Sequence, residues 1–215
     1  KGLFLGNIRG VPPTEIVVIG SDKIAESAAL AATKLGARVK VFSNSIFKLN
    51  KIQKLITNPI YSSTIQKKQL SKALMRCDVA IGSIKSSTSS ESIISEDMVM
   101  KMKKGAIIID VSIDTGGTFE TSELTTHDKP TFEKHNVIHY CVPNIPSRYS
   151  RTSSLCLSNI ITPYLIKSVK FGSFENFIRN NNSFKKGVYL YNGLSTNLII
   201  SQILDIKYNE INNIL

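Results

Sequence analysis

No apolar run in this sequence approaches the roughly 18–20 residues that a membrane-spanning helix needs. The longest such runs, at 16–19 and 106–109, are the size of a strand. A charged start followed by an apolar signal core is missing too, so the expectation is a cytoplasmic protein with no membrane partner. Cysteine is scarce. Cys77, Cys141 and Cys156 are odd in number, widely separated and without metal-type spacing. Free or buried thiols in a reducing compartment, and no metal, are expected from them. Acidic residues are few: 16 Asp and Glu stand against 27 Lys and Arg, a formal net charge of +11. Such an excess raises nucleic acid as a partner. The lysines are dispersed, however, and neither an Arg-rich helix nor an aromatic stacking motif accompanies them. A solvated surface, without a nucleic-acid partner, is the expected reading.

The 215 residues are 42% hydrophobic, enough to bury the core of one large domain, or of one domain and a fragment. Because the chain opens at Lys1, we expect a portion of a longer protein. Residues 15–20 form a β-branched apolar run ending in glycine, a buried strand by length and composition. Alanines and leucine recur at helical spacing over 23–35, and Gly36 stops that helix. A second strand is expected over 38–42, a helix over 45–55, a weaker strand over 60–65 and a helix over 67–76. The fourth strand, 77–84, leaves into a Ser/Thr-rich loop at 86–92. Ser95 with Glu96 and Asp97 then has the hydroxyl cap and early acids of a helix start. Fifth and sixth strands are expected over 105–112 and 136–142.

Strands and helices therefore alternate, and nearly all the strands are continuously apolar. That pattern predicts a parallel sheet covered on both faces, a doubly wound α/β fold. Beyond Pro146 the character changes. One long helix is expected over 152–170, kinked or restarted at Pro163. The Lys- and Asn-rich tail from Gly172, with apolar patches such as 198–204, is expected to pack on something else. The boundary is placed between residues 146 and 147.

In an open parallel sheet, ligands bind beyond the carboxyl ends of the strands at the switch point. The first turn should carry the Gly-x-Gly-x-x-Gly fingerprint that brings a pyrophosphate close to a helix N-terminus. It reads Gly20-Ser21-Asp22-Lys23-Ile24-Ala25. Glycine stands first and alanine is acceptable third, but Asp22 occupies the centre. Two readings follow: a carboxylate that crowds and repels the pyrophosphate, or one that caps the helix and fills the anion site with the protein's own charge. After the second strand, where an acid should accept from the adenosine ribose, the sequence has Phe42-Ser43-Asn44. Loss of that acid, with Lys48 nearby, is a signal towards a 2′-phosphate, although no Arg directly follows the strand. The fifth strand ends Asp110-Val111-Ser112-Ile113-Asp114-Thr115-Gly116-Gly117. Asp114 there is either a carboxylate projecting to where substrate and cofactor meet, or a turn residue; Asp110, inside the strand, reads as structural.

The run 110–117, then Thr125-Thr-His-Asp-Lys-Pro-Thr-Phe132, then His139-Tyr-Cys-Val-Pro-Asn-Ile-Pro146, resembles the alanine dehydrogenase family. The entry Gly2-Leu-Phe-Leu-Gly-Asn-Ile-Arg-Gly-Val-Pro-Pro13 is similar to the segment leading into that family's cofactor domain. The likeness runs to about residue 171 and fades in the tail, where Tyr191-Asn192-Gly193 is still similar. It implies a Rossmann-type NAD(P)-binding domain over 1–146, and a helical segment over 147–215 belonging to the substrate domain. It implies NAD as cofactor, reversible oxidative deamination of L-alanine to pyruvate and ammonia, and a homo-oligomer. By the resemblance Asp114 matches the catalytic aspartate that positions water or ammonia. Val111, Ser112, Ile113 and Asp114, with Val142, Pro143, Asn144 and Ile145, match positions along the nicotinamide and its ribose. Ile84 and Lys85 match the loop over the cofactor, Ser43 and Lys48 the adenosine end, and Gly20 and Ser21 the fingerprint turn. The family's catalytic histidine, and its substrate-binding arginine and lysine, lie in an N-terminal domain outside this sequence. His127, His135 and His139 do not fill that role. Departures are Asp22 for glycine, Ser43 for the ribose-binding aspartate, Thr115 for glutamine, Thr118 for cysteine, and a shorter, Ser-rich loop after the fourth strand. Two alternatives stay open: a non-catalytic homologue with weakened NAD binding, and the related transhydrogenase α-type subunit, whose fifth-strand loop typically lacks the aspartate.

Overall fold

A computed structural model describes residues 2–84 and 92–215. Lys85 and most of the Ser/Thr-rich stretch 86–92 fall outside the described residues. The chain divides into two compact units, Lys1–Arg148 and Tyr149–Leu215.

The first unit is built on β1 (Glu15–Ile19), β2 (Arg38–Phe42), β3 (Tyr61–Ser63), β4 (Val79–Gly82), β5 (Ile107–Asp110), β6 (Thr131–Lys134) and β7 (Val137–Tyr140). They form one seven-stranded sheet in the order β3-β2-β1-β4-β5-β7-β6. All neighbours pair in parallel except β6 and β7. Helices α1 (Lys23–Lys34), α2 (Ile46–Leu55), α3 (Lys67–Leu74) and α4 (Glu96–Met100) connect the strands. Alternation along β1 divides the core between the two faces of the sheet. Ile16 and Val18 pack with Ala25, Ala29 and Ala32 of α1 and Leu49 and Ile52 of α2. Val17 and Ile19 face Leu70 and Leu74 of α3, Val99 of α4, Ile108 and Phe119. Burial on both faces is why β1, β4 and β5 carry no polar alternation. Chain order reverses between β1 and β4, and the exits of those two strands mark the switch point.

The sequence reading missed β6. Thr131–Lys134 is polar at three of its four residues and lies on the sheet edge, where Phe132, its one apolar residue, stacks on the His139 ring at 4.7 Å. It pairs with β7 through a two-residue turn, His135-Asn136, with φ of 55° and 57°. Two successive left-handed residues are the primed turn that matches strand twist. Ser95 was also misjudged in part. It stands at the cap position of α4 but makes no side-chain cap bond, and Glu120 Oε2 accepts from the Glu96 N–H at 2.7 Å instead. The carboxylate arrives from the loop after β5, which sequence spacing does not reveal. Cys77 and Cys141 are buried free thiols, and burial pushes the Cys77 thiol up to about 12. Among the described residues no cluster could hold a metal, and no helix is long and apolar enough to cross a membrane.

The second unit opens with α5 (Ser150–Lys170), which passes through Pro163 without restarting. Shorter pieces follow: α6 (Phe174–Arg179), α7 (Asn182–Lys185), the hairpin β8 (Leu190–Tyr191) and β9 (Leu194–Ser195), α8 (Leu198–Ile203) and α9 (Ile211–Ile214). Its centre is aromatic. Phe177, 1% exposed, contacts the rings of Phe171, Phe174 and Phe184, and Tyr164 of α5 meets Phe184 at 5.2 Å. Ring packing of this kind is worth about 0.5–1.5 kcal/mol per pair beyond area burial.

Asp110, fully buried at the end of β5, organises the loop that follows. Its Oδ1 accepts from the Ser112 N–H at 3.1 Å and the Ser112 hydroxyl at 2.8 Å. Oδ2 accepts from the Thr118 and Phe119 N–H groups, at 2.8 and 3.2 Å, and from the Ser122 hydroxyl at 2.8 Å. Thr118, thus fixed, takes the Ile84 N–H on its hydroxyl at 3.2 Å, tying the exit of β4 to that of β5. A side chain on Gly82 would meet Thr118 Cβ at 2.5 Å, so only glycine fits there.

Two measurements check this architecture. Asp110→Asn places an amide NH₂ against donors, and a loss of about 2–4 kcal/mol is expected, since charge-assisted bonds are lost and a buried donor is orphaned. Urea unfolding reads it; a loss below about 0.5 kcal/mol contradicts the hub. His139, fully buried, has Nδ1 3.0 Å from the Val137 carbonyl and Nε2 2.8 Å from Thr121 Oγ1. Because the carbonyl only accepts, the proton belongs on Nδ1, and Nε2 accepts from Thr121. Burial holds the ring's pKa below its ordinary value. Folded-state stability is therefore complete above the unfolded value of about 6.5 and declines as pH falls below it towards the depressed folded value. His139→Gln is expected to flatten the stability–pH curve below about pH 6.5, and an unchanged slope contradicts the assignment.

Candidate functional site

The strand exits place the sequence-derived residues around one crevice at the switch point. Its larger part, a cavity of about 430 Å³, is lined by Gly20, Ser21 and Asp22 after β1, Ser43, Asn44, Ser45 and Lys48 after β2, and Ser83 and Ile84 after β4. A smaller cavity of about 140 Å³ is lined by Asp22, Ile24, Ser83, Val111, Ser112, Asp114 and Thr115. Asp22 and Ser83 belong to both linings, so the turns leaving the first and fifth strands open onto common space.

Gly20 makes the narrow point possible. Its φ is 137°, which side-chain-bearing residues rarely adopt, and a Cβ there would lie 2.2 Å from Ser83 Oγ. Ser83, buried against this turn, was not among the sequence-derived site residues. Its only signal was its place directly after the β4 glycine. Asp22 is the N-cap of α1, and its Oδ1 accepts from the Ala25 N–H at 2.9 Å. The capping geometry anticipated as one of the two readings is thus present. It satisfies an N–H group that a fingerprint glycine would leave to the ligand.

Ser43, 4% exposed, replaces the acid after β2. Its hydroxyl lies 2.6 Å from Ser21 Oγ and accepts from the Ser45 N–H at 3.2 Å. Ser45 in turn caps α2 by accepting from the Lys48 N–H at 3.4 Å. The Lys48 side chain is exposed and, among the described residues, makes no ion pair.

Asp114 sits in a single 3-10 turn, Ile113–Thr115, ended by Gly116 in the left-handed region. Thr115 Oγ1 and the Gly117 N–H both bond the Ser112 carbonyl, at 3.0 Å each, which sets the turn and leaves the Asp114 carboxylate exposed along the small cavity. Ser112 is buried on Asp110 and Thr118, so its hydroxyl serves the scaffold, while Val111 continues the pairing by donating to the Gly82 carbonyl at 2.9 Å. Val142, Pro143, Asn144 and Ile145 follow β7 at the same end of the sheet but line neither cavity. Asn144 takes a positive φ of 53°, and its carbonyl accepts from the Ser147 hydroxyl, which also meets His127 Nε2 at 2.7 Å. Lys85, expected over the cofactor, lies outside the described residues. The histidines are engaged elsewhere: His139 in the core, His135 with Glu96 at 2.6 Å, and His127 with Ser147.

Known proteins share this arrangement. Residues 1–197 match the family described as alanine dehydrogenase/PNT, C-terminal domain. The chain is 33% identical to alanine dehydrogenase of Methanococcus maripaludis over 210 residues, covering 97% of this chain and 56% of that protein. It is 32% identical to alanine dehydrogenase 2 of Staphylococcus aureus, covering 98% of this chain and 57% of that one. It thus spans little more than half the length of these relatives. Among solved structures, an L-alanine dehydrogenase superposes with a TM-score of 0.88 at 27% identity, over 95% of this chain and 56% of the other. A transhydrogenase from Sinorhizobium meliloti, 17% identical with a TM-score of 0.68 over 88% of this chain and 51% of its own, shares the fold. With its sheet, its strand-exit crevice and these relatives in agreement, the chain belongs to the alanine dehydrogenase/PNT C-terminal domain family.

Proposed function

We propose that this chain is the cofactor-binding portion of an alanine dehydrogenase, an oxidoreductase that turns L-alanine, water and an oxidised nicotinamide dinucleotide into pyruvate, ammonium, the reduced dinucleotide and a proton. The observation that carries this reading is the crevice itself, in which the β1 turn and the Asp114 turn share a lining at Asp22 and Ser83. The residues fit a dinucleotide in shape: Gly20 lets the chain approach closely, and both cavities stand open at the strand exits. They fit it less well in charge, because Asp22 stands at the head of α1. A nicotinamide held by these residues would supply the acceptor for a hydride from the substrate carbon. Asp114, exposed and held by its 3-10 turn, accepts hydrogen bonds from water or ammonia and orients it towards that carbon. The second unit contributes to the substrate domain in this reading, and residues from outside this sequence supply the remaining acid–base and carboxylate-binding groups. Assembly as a homo-oligomer belongs to the same proposal.

The Asp22 cap favours a second reading, a homologue in which dinucleotide binding has lapsed. A fixed carboxylate about 6 Å from a phosphate costs roughly 2–3 kcal/mol at an effective dielectric of about 20. Asp22→Ser keeps a capping oxygen and removes the charge. It is expected to tighten dinucleotide binding by roughly ten- to hundredfold, with stability changed by less than about 0.5 kcal/mol. The decisive assay is L-alanine-dependent reduction of nicotinamide by the protein that carries this chain. Turnover is expected, and Asp114→Asn is expected to lower kcat by about 10²-fold or more while the dinucleotide still binds. A folded protein that oxidises no alanine and binds no dinucleotide, even as Asp22→Ser, would establish the second reading. Hydride exchange between nucleotides without alanine would instead point to transhydrogenase-type chemistry.

A further inference from the structure

The dinucleotide-binding reading leaves open which dinucleotide the adenosine end accepts, and the inference here rests on that reading. An unphosphorylated adenosine ribose is held in this fold by a carboxylate after the second strand, which accepts from the ribose hydroxyls; a cation nearby accommodates a 2′-phosphate instead. The β2 exit has Ser43, Asn44 and Ser45 in that place, all uncharged, with Lys48 on the same cavity lining. Asp22 is the only acid in that lining, and it is engaged with the start of α1. Glu26, in the adjoining cavity beside Lys48, is bonded to Lys23 at 2.7 Å and paired with Lys51 at 3.6 Å.

The hydroxyls have donors to offer. Ser21 and Ser43 share one hydrogen bond, so whichever donates, the other keeps its hydrogen for a further acceptor. Ser45 Oγ accepts from the Lys48 N–H, and among the described residues its own hydrogen has no acceptor. Donor hydroxyls on one lining with an ammonium that makes no ion pair among the described residues suit an anion with several acceptor oxygens. They suit a pair of ribose hydroxyls less well, because those must themselves donate.

We propose that this end of the crevice binds a 2′-phosphorylated adenosine, so that the chain takes NADP(H) in preference to NAD(H). Lys48 is the charge partner of the 2′-phosphate, and its donors are the Ser45 hydroxyl and whichever of Ser21 and Ser43 keeps its hydrogen.

The test uses the whole protein and two probes, adenosine 5′-monophosphate and adenosine 2′,5′-bisphosphate. Both lack the pyrophosphate and the nicotinamide, so neither Asp22 at the pyrophosphate position nor catalytic competence decides the outcome. Calorimetric titration is expected to show the bisphosphate binding about tenfold tighter or better, NADPH preferred over NADH in the same sense, and Lys48→Ala abolishing most of the difference. Ser43→Asp is expected to reverse it, through a carboxylate that repels phosphate and accepts from ribose hydroxyls. Equal affinities, tighter monophosphate binding, no binding of either probe, or a preference that survives Lys48→Ala overturns the proposal. Alanine oxidation with NAD but not NADP would overturn it alone and leave the dehydrogenase reading standing. A clear 2′-phosphate preference without alanine turnover would do the reverse.

Discussion

One buried carboxylate sets the shape of the crevice floor. Asp110 ends β5 with both oxygens satisfied, by two donors from Ser112 and by three from the segment 118–122. A carboxylate out of water is tolerable only when its lone pairs are matched, and these matches fold the loop back over the strand that bears it. The return brings Thr118 against Gly82 and onto the Ile84 N–H, so two strand exits become one rigid edge. Asp114 stands on the turn enclosed by that loop. Its placement is a consequence of a neighbour four positions earlier whose own carboxylate never reaches the crevice.

At the first strand the same economy of charge has a different effect. Helix α1 begins with free N–H groups, and in most dinucleotide sites these are left to the ligand. Here Asp22 takes the Ala25 N–H for the protein itself. The fold gains a capped helix, worth about 1 kcal/mol, and the crevice gains a negative charge at the turn leaving β1. Towards the adenosine end the balance shifts, with a lysine and three uncharged polar residues and no carboxylate after β2. If the proposed reading holds, affinity and selectivity for a nucleotide are set at opposite ends of a single cavity.

Much of this was legible in the residues. Five of the seven strands are short apolar runs or end in glycine or aspartate at the expected places, because strands covered on both faces must be apolar throughout. The edge strands were harder to read. β3 shrank to Tyr61–Ser63, and β6 was missed altogether, since an edge strand keeps one side in water and has only Phe132 as an apolar residue. The long helix expected over 152–170 is present as α5 and does not restart at Pro163, while Ser95 yielded its cap to Glu120, a partner 24 positions from the group it satisfies.

Composition and order of residues by themselves determined the alternation of strand and helix, the turns at which a ligand is to be sought, and the two substitutions, Asp22 and Ser43, that distinguish this crevice. Local periodicity and chain punctuation suffice for those, because each depends on neighbours within a few positions. Only the tertiary structure decided which groups Asp110 bonds, that Asp114 lines the cavity, that Ser83 belongs to both cavity linings, and that Ser43 is bonded to Ser21. Those facts depend on which side chains long-range pairing of β1, β2, β4 and β5 brings within hydrogen-bond reach, and no short-range pattern along the chain encodes that distance.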